Sequence, residues 1–357
     1  MKKNKHKKNP FLSFVFSFVA CVVLAVLACF LAFRLSLSAP DQKSAAKQVR
    51  VEIPSGASVS KIGEILVDKG LIRSDRAFYI AARFPFLSMR NTVPVLQSGY
   101  YSLDSSMSAV QIMDILESGK QDCIKVSVPE GFSLRKIAAI LEKNEICSAE
   151  DFLEAAHNPA LLEKYSIPAE TFEGFLFPDT YFFAPGMSAD SVIAMMVESF
   201  YEKVSEIPYF KGKYPSNFYE TLVLASIVER EYRVADEAPL IASVFKNRID
   251  AGVGLYSCAT IEYIITEIQG RPHPDVITYD DLKIDSPYNT YKWAALPPTP
   301  ISNPGIVALR AAAEPAKTDY FYFTLTDSSA GKHTFSKSFN AHVKAGTQFK
   351  TKKSGSN

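Results

Sequence analysis

The sequence predicts an α+β protein: a single N-terminal transmembrane helix, an α+β module built on an internal repeat, and a mainly helical α+β domain. Three observations carry this. Phe11 to Phe33 is a run of 23 residues without a charge, a stretch beginning at Val51 returns at Val126, and beyond Phe172 apolar helical patterns alternate with aromatic, proline-rich loops.

The first run is interrupted only by Ser13 and Ser17, whose hydroxyls can bond back to the helix. At about 1.5 Å per residue it crosses the roughly 30 Å of a bilayer core. Lys2, Lys3, Lys5, Lys7 and Lys8 precede it without an acid, and a short basic flank stays cytoplasmic. The expectation is a cytoplasmic basic tail (1–10), a transmembrane helix (11–33) and a linker (34–49). The bulk then lies on the periplasmic or extracytoplasmic side of the cytoplasmic (inner) membrane. A cleaved signal peptide is the rival reading. Its apolar region is typically about 7 to 15 residues long, and Pro40 after Ala39 is a poor cleavage context, so an uncleaved anchor is favoured.

The full chain of 357 residues is 47% hydrophobic and 22% charged, and the portion beyond the linker is long enough to bury a large core. The formal net charge of +1, with no long basic tract outside the termini, gives no reason to expect a nucleic-acid partner. Of five cysteines, Cys21 and Cys29 fall in the apolar run. Cys123, Cys147 and Cys258 remain, an odd number that leaves a free thiol; a Cys123–Cys147 bridge has no further support. No Cys/His cluster has zinc spacing, and P-loop, GxGxxG and GxSxG motifs are absent. No metal or cofactor is expected.

In the repeat, Val51, Pro54, Gly56, Ser58, Lys61, Ile62, Ile65 and Leu66 recur as Val126, Pro129, Gly131, Ser133, Lys136, Ile137, Ile140 and Leu141. Each copy predicts a short alternating strand, a Pro/Gly turn, a Ser N-cap and an amphipathic helix. Between them, Ser98–Leu103 reads as a strand and Ser108–Glu117 as a helix, giving a module over 50–156. A second domain spans 157–343. It has helices over Ser188–Lys203, Ser216–Arg233, Ala238–Ala251, Ala259–Gln269 and Gly305–Ala313, and a strand over Asp319–Leu325. A polar, basic, frayed tail is expected at 344–357.

The helix NFYETLVLASIVEREYRV carries two carboxylates near its end. At about 100° per residue, Glu231 continues the apolar stripe of Leu224, Ile227 and Val228. Glu229 points nearly the opposite way, where pairing with Arg233 at i+4 is expected. A carboxyl on a buried stripe is desolvated, which raises its pKa and fits it to act as a general acid. The alternative, a helix that stops at Arg230 and leaves Glu231 in solvent, is open on periodicity alone. His273, His333 and His342 are scattered without metal spacing. Trp293, near Tyr288 and Tyr291, suits either a sugar-stacking wall or a packed turn.

EGFLFPDTY (Glu173 to Tyr181), LASIVERE (Leu224 to Glu231), SVFKNRI (Ser243 to Ile249), YNTY (Tyr288 to Tyr291), LPPTPISNPG (Leu296 to Gly305) and KHTFS (Lys332 to Ser336) resemble, in order, the motifs of the endolytic murein transglycosylases, the YceG-like family. The resemblance implies a LysM-like identity for the repeat module and a transglycosylase catalytic domain after it. It also implies lyase cleavage of peptidoglycan between N-acetylmuramic acid and N-acetylglucosamine, leaving 1,6-anhydro ends, with glycan strands as substrate and penicillin-binding proteins or other cell-wall synthases as candidate partners. A single acid/base carboxylate suffices for that reaction, unlike the pair in ordinary glycosidases.

The family's essential glutamate carries over to Glu231, whose setting IVEREY also resembles the I-x-x-Q-E-S segment of Slt-type transglycosylases. Glu229 is the runner-up, with a supporting role. Tyr288, Asn289 and Tyr291 are expected to line the glycan groove, Asn289 through hydrogen bonds to sugar, unless YNTY is a turn held by its own side chains. Glu173 is a supporting carboxylate or a cap. One departure stands out: where the family resembles LQSDPT this chain reads LYSCAT, with Cys258 and Ala259 replacing Asp and Pro. The rival to catalysis is therefore a non-catalytic glycan-binding scaffold.

Overall fold

The computed structural model describes residues 10–40, 48–211 and 216–354, so residues 1–9 of the expected basic tail (1–10) and residues 41–47 of the expected linker lie outside the described residues. The chain divides into two compact units, one up to Cys123 and the other from Ile124.

In the first unit, helix α1 (Pro10–Ser36) is long and apolar enough to cross a membrane, features that a signal sequence shares. Strand β1 (Gln48–Ile53) leads to α2 (Val59–Asp68) and α3 (Asp75–Arg83), then β2 (Gly99–Asp104) and α4 (Ala109–Ser118). β1 and β2 pair antiparallel with Val51 opposite Tyr101. Their inward residues, Val51, Ile53, Tyr101 and Leu103, meet Ile62, Leu66, Phe78, Ile112 and Leu116 in one core. Ser58, Ser74 and Ser108 each cap a helix by accepting a backbone N–H, which satisfies a donor the first turn leaves free. The start of the expected linker is not loose: Leu37 and Ala39 are buried, and Arg73 donates to the Ala39 and Pro40 carbonyls.

The second unit begins with β3 (Ile124–Ser127), α5 (Leu134–Lys143), α6 (Ala149–Ala155) and α7 (Pro159–Lys164), followed by β4 (Thr180–Phe183). The second copy of the strand–turn–helix pattern forms here, with Gly131 at φ 74° in its turn, as Gly56 is at 73° in the first. Only glycine takes such angles without strain. β3 pairs with β4, Val126 opposite Tyr181, so the second copy packs with the segment after Phe172. The module expected at 50–156 is thus divided at 123/124, because the partner of its second strand comes from beyond its predicted end.

Helices α8 (Ala189–Ser205), α9 (Phe218–Glu231), α10 (Ala238–Asp250), α11 (Cys258–Tyr263) and α12 (Ile306–Ala313) make the body of this unit. A hairpin of β5 (Tyr322–Asp327) and β6 (Lys332–Ser336) and the helix α13 (Phe339–Ser354) complete it. Of the tail expected to fray at 344–357, residues 344–354 instead continue that helix. α9 is buried from Thr221 to Val228 and packs on α12 and α10. A helix enclosed along this length is apolar on nearly every face, which places whatever stands at its end against the edge of the core.

Candidate active site

α9 runs through Glu231 and stops at Tyr232, whose backbone is extended. Glu231 is half-buried. Its Oε1 accepts a 2.5 Å hydrogen bond from Ser257 Oγ. Burial is the main influence that pushes its pKa up, reinforced by Glu262; the Ser257 hydroxyl, Arg230 and Arg233 act the other way. Arg230 reaches Glu262 at 2.6 Å, and His273 stands 3.6 Å from the same carboxylate.

Ser257 is itself fixed. Its N–H donates to Thr290 Oγ1 at 3.1 Å, and its carbonyl accepts from Thr260 Oγ1 at 2.8 Å. The residue before it, Tyr256, has φ 52°, a left-handed conformation that costs a non-glycine residue about 1 kcal/mol. Arg248 clamps the approach, donating to Leu255 O and Phe321 O, both at 2.7 Å.

Glu229 does not pair with Arg233 in solvent as its helical angle suggests. It is half-buried, and its Oε2 accepts the Gly305 N–H at 2.9 Å. Burial raises its pKa to about 7 against the opposing effect of that bond, with Glu130 adding to the rise and the Tyr232 hydroxyl opposing it. The helical wheel misjudged it because the loop ending at Gly305 folds over this face from 76 residues away.

The YNTY motif points two ways. Tyr291 lies by Glu231, its hydroxyl 3.1 Å from the exposed Cys258 thiol and its ring 5.5 Å from that of Tyr256. Partial burial pushes the Cys258 thiol up although the residue as a whole is exposed, so this side chain is neutral. Tyr288 instead contacts Tyr263, ring to ring at 5.1 Å, and bonds Thr299 at 2.8 Å. It lines a cleft of about 670 Å³ with Glu173, Tyr219, Tyr263 and Glu267; Glu231 is not among the residues lining it. Asn289, expected to reach sugar, is fully enclosed. Its Nδ2 donates to the Leu282 and Ile284 carbonyls and its Oδ1 accepts from Tyr291 N–H, so its amide is spent on holding the turn. Trp293 likewise bonds Ser286 O.

Glu173 is 4% exposed. Its Oε2 accepts from Leu134 N–H at 3.1 Å and its Oε1 from Asn303 Nδ2 at 3.0 Å. Burial outweighs those bonds and lifts its pKa to about 8. Asn303, which sequence reasoning did not single out, ties the site's loops together. Its Oδ1 accepts from Gly174 and Leu176 N–H, and its Nδ2 also donates to Phe132 O. Next to it, Ser302 Oγ bonds Ser226 O and the Ile301 N–H bonds Ser226 Oγ, strapping the loop across α9. An asparagine and a serine inside a proline-rich segment were the available signal.

The profile of the YceG-like family matches residues 51–348. A protein named endolytic murein transglycosylase from Bacillus subtilis (strain 168) is 32% identical over 329 residues, 87% of each chain. One of the same name from Streptococcus pneumoniae serotype 2 is 30% identical, over 90% of this chain and 62% of that protein. A crystal structure of a YceG-like protein from Listeria monocytogenes superposes with a TM-score of 0.55 at 32% identity, covering 84% of this chain and 99% of that one. The chain belongs to the YceG-like family.

Proposed function

We propose that this protein is a membrane-anchored endolytic transglycosylase that cuts nascent peptidoglycan strands between N-acetylmuramic acid and N-acetylglucosamine, with Glu231 as acid and base. It is a lytic transglycosylase, a lyase, like the relatives that carry that name. The observation that carries the residue assignment is a half-buried glutamate with raised pKa at the end of the central helix, one oxygen bound by a single hydroxyl.

The reaction balances without water. Protonated Glu231 gives its proton to the glycosidic oxygen as the bond from muramyl C1 breaks. The resulting carboxylate then takes the proton of the muramyl O6 hydroxyl as O6 closes on C1, leaving the 1,6-anhydro end and regenerating the acid. Tyr288 and Tyr291 supply ring faces for the glycan on the two sides of their turn, while Asn289, Glu173 and Glu229 hold the surrounding loops. The repeat copies act as LysM-like glycan-holding elements in this reading, and cell-wall synthases are the expected partners.

The anchor keeps cutting close to the membrane, where new strands emerge, with the N-terminus in the cytoplasm. Membrane fractions should contain the chain with its N-terminal residues intact; a mature protein beginning after Ala39 would contradict this. Detergent-solubilised full chain incubated with glycan strands should release anhydromuramyl ends, read by mass spectrometry. Intact strands under the same conditions would favour the scaffold reading, for which the neutral Cys258 is the motivating feature.

A further inference from the structure

A carboxylic acid that must deliver a proton has two oxygens, and only one faces the substrate. In Glu231, Oε1 is engaged by Ser257 Oγ, whereas Oε2 has no partner among the described residues. A serine hydroxyl carries one hydrogen. While that hydrogen points at Oε1, a proton on the carboxyl is directed to Oε2.

The backbone that carries this hydroxyl is enclosed and bonded on both sides. Ser257 is 2% exposed, Thr290 1% and Thr260 0%. Thr290 Oγ1 meets Thr260 Oγ1 at 2.9 Å, which closes a ring of bonds through the Ser257 backbone. Tyr256 N–H adds a bond to Thr290 O at 3.2 Å. At Gly254 a Cβ would stand 2.8 Å from that same carbonyl, so the loop passes too close for a side chain. The left-handed turn at Tyr256 is a strained conformation kept by these surroundings, a pattern found where geometry serves a site.

We propose that Ser257 is the positioning residue of the acid. Its hydroxyl holds Glu231 Oε1 so that the proton is presented on Oε2, and the Thr290–Thr260 pair fixes the backbone that carries that hydroxyl. This rests on Glu231 being the acid and says what sets its aim. It also joins two motifs to the helix end: LYSCAT gives Ser257 and Thr260, and YNTY gives Thr290.

The test uses detergent-solubilised full chain and purified glycan strands, measuring the rate of anhydro-end formation against substrate concentration and pH. In Ser257→Ala, kcat should fall roughly tenfold to a hundredfold, the scale of a misaligned reacting group, with KM within about twofold. The alkaline limb of the kcat profile should move to higher pH, because a bond favouring the charged form is lost while Arg230, Arg233, Arg248, Glu262, Cys258 and Tyr291, the other groups acting on the site, remain. Ser257→Thr keeps the hydroxyl and should recover most of the rate. Thr290→Val, which keeps the shape but removes the acceptor, should lower kcat in the same sense by a smaller factor; it provides the same readouts if Ser257→Ala folds poorly. Wild-type kcat and pH profile in Ser257→Ala and Thr290→Val, alongside an inactive Glu231→Gln, would overturn this inference alone. An active Glu231→Gln would overturn it together with the assignment of the acid.

Discussion

Two carboxyl groups in the second unit, Glu173 and Glu231, share buried surroundings and raised pKa values and differ in how they are partnered. Around Glu173 each oxygen receives a fixed donor, one from the α5 backbone and one from Asn303. Around Glu231 one oxygen is held by a hydroxyl and the other is free among the described residues. Burial alone therefore does not mark an acid catalyst. A carboxyl whose oxygens are both bound by protein organises loops, and one with an open oxygen at a helix end can exchange a proton with a ligand.

The strongest way to break the contrast is at Asn303. Asn303→Ala removes the acceptor for two buried N–H groups and the donor to Glu173. It should cost roughly 3–5 kcal/mol, since each stranded buried group costs about 1–3 kcal/mol; denaturant midpoints check this. The loss should appear in stability before any separate effect on chemistry.

The second comparison is with pH. Glu173 rises from 4.5 to about 8 and Glu229 from 4.5 to about 7 on folding. A raised carboxyl pKa means the folded protein holds the proton more tightly than the unfolded chain. The stabilisation is full below about 4.5, declines as pH rises, and is gone above the folded value. Thermal midpoints should fall between pH 5 and 8. Glu173→Gln should flatten the part between 7 and 8, which Glu229 cannot supply.

A smaller effect is expected at Glu229. Glu229→Gln keeps an oxygen for Gly305 N–H and should retain activity within about tenfold, measured as anhydro-end release. The smallest is expected at Cys258. Cys258→Asp places a negative charge near Glu231, where a like charge favours the protonated acid. The alkaline limb of the rate profile should move upward, with the maximum rate changed by about threefold or less.

Part of this organisation was legible in the chain. The spacing of Ser58 and Ser133 from their helices marked both caps, whereas the 3.6-residue period along α9 did not separate Glu231 from Glu229, both of which are half-buried. What escaped came from distant segments. Glu229 is covered by Gly305, Asn289 is consumed by carbonyls at Leu282 and Ile284, and the second repeat copy is drawn to Thr180–Phe183. Local pattern fixes a strand, a turn and a cap; it carries no record of which remote backbone group will meet a side chain. Ser257 is the sharpest case, an ordinary serine in the sequence whose importance depends on where α9 ends.

The central claim is that Glu231, and not its neighbour two residues earlier on the same helix, moves the proton. Full-length Glu231→Gln and Glu229→Gln, each shown to be folded by thermal unfolding, should be incubated with glycan strands and their products analysed by mass spectrometry. Glu231→Gln should lose anhydromuramyl products by at least about a hundredfold, the low end of what a general acid contributes, while Glu229→Gln continues to form them. Full activity in Glu231→Gln with none in Glu229→Gln would contradict the account.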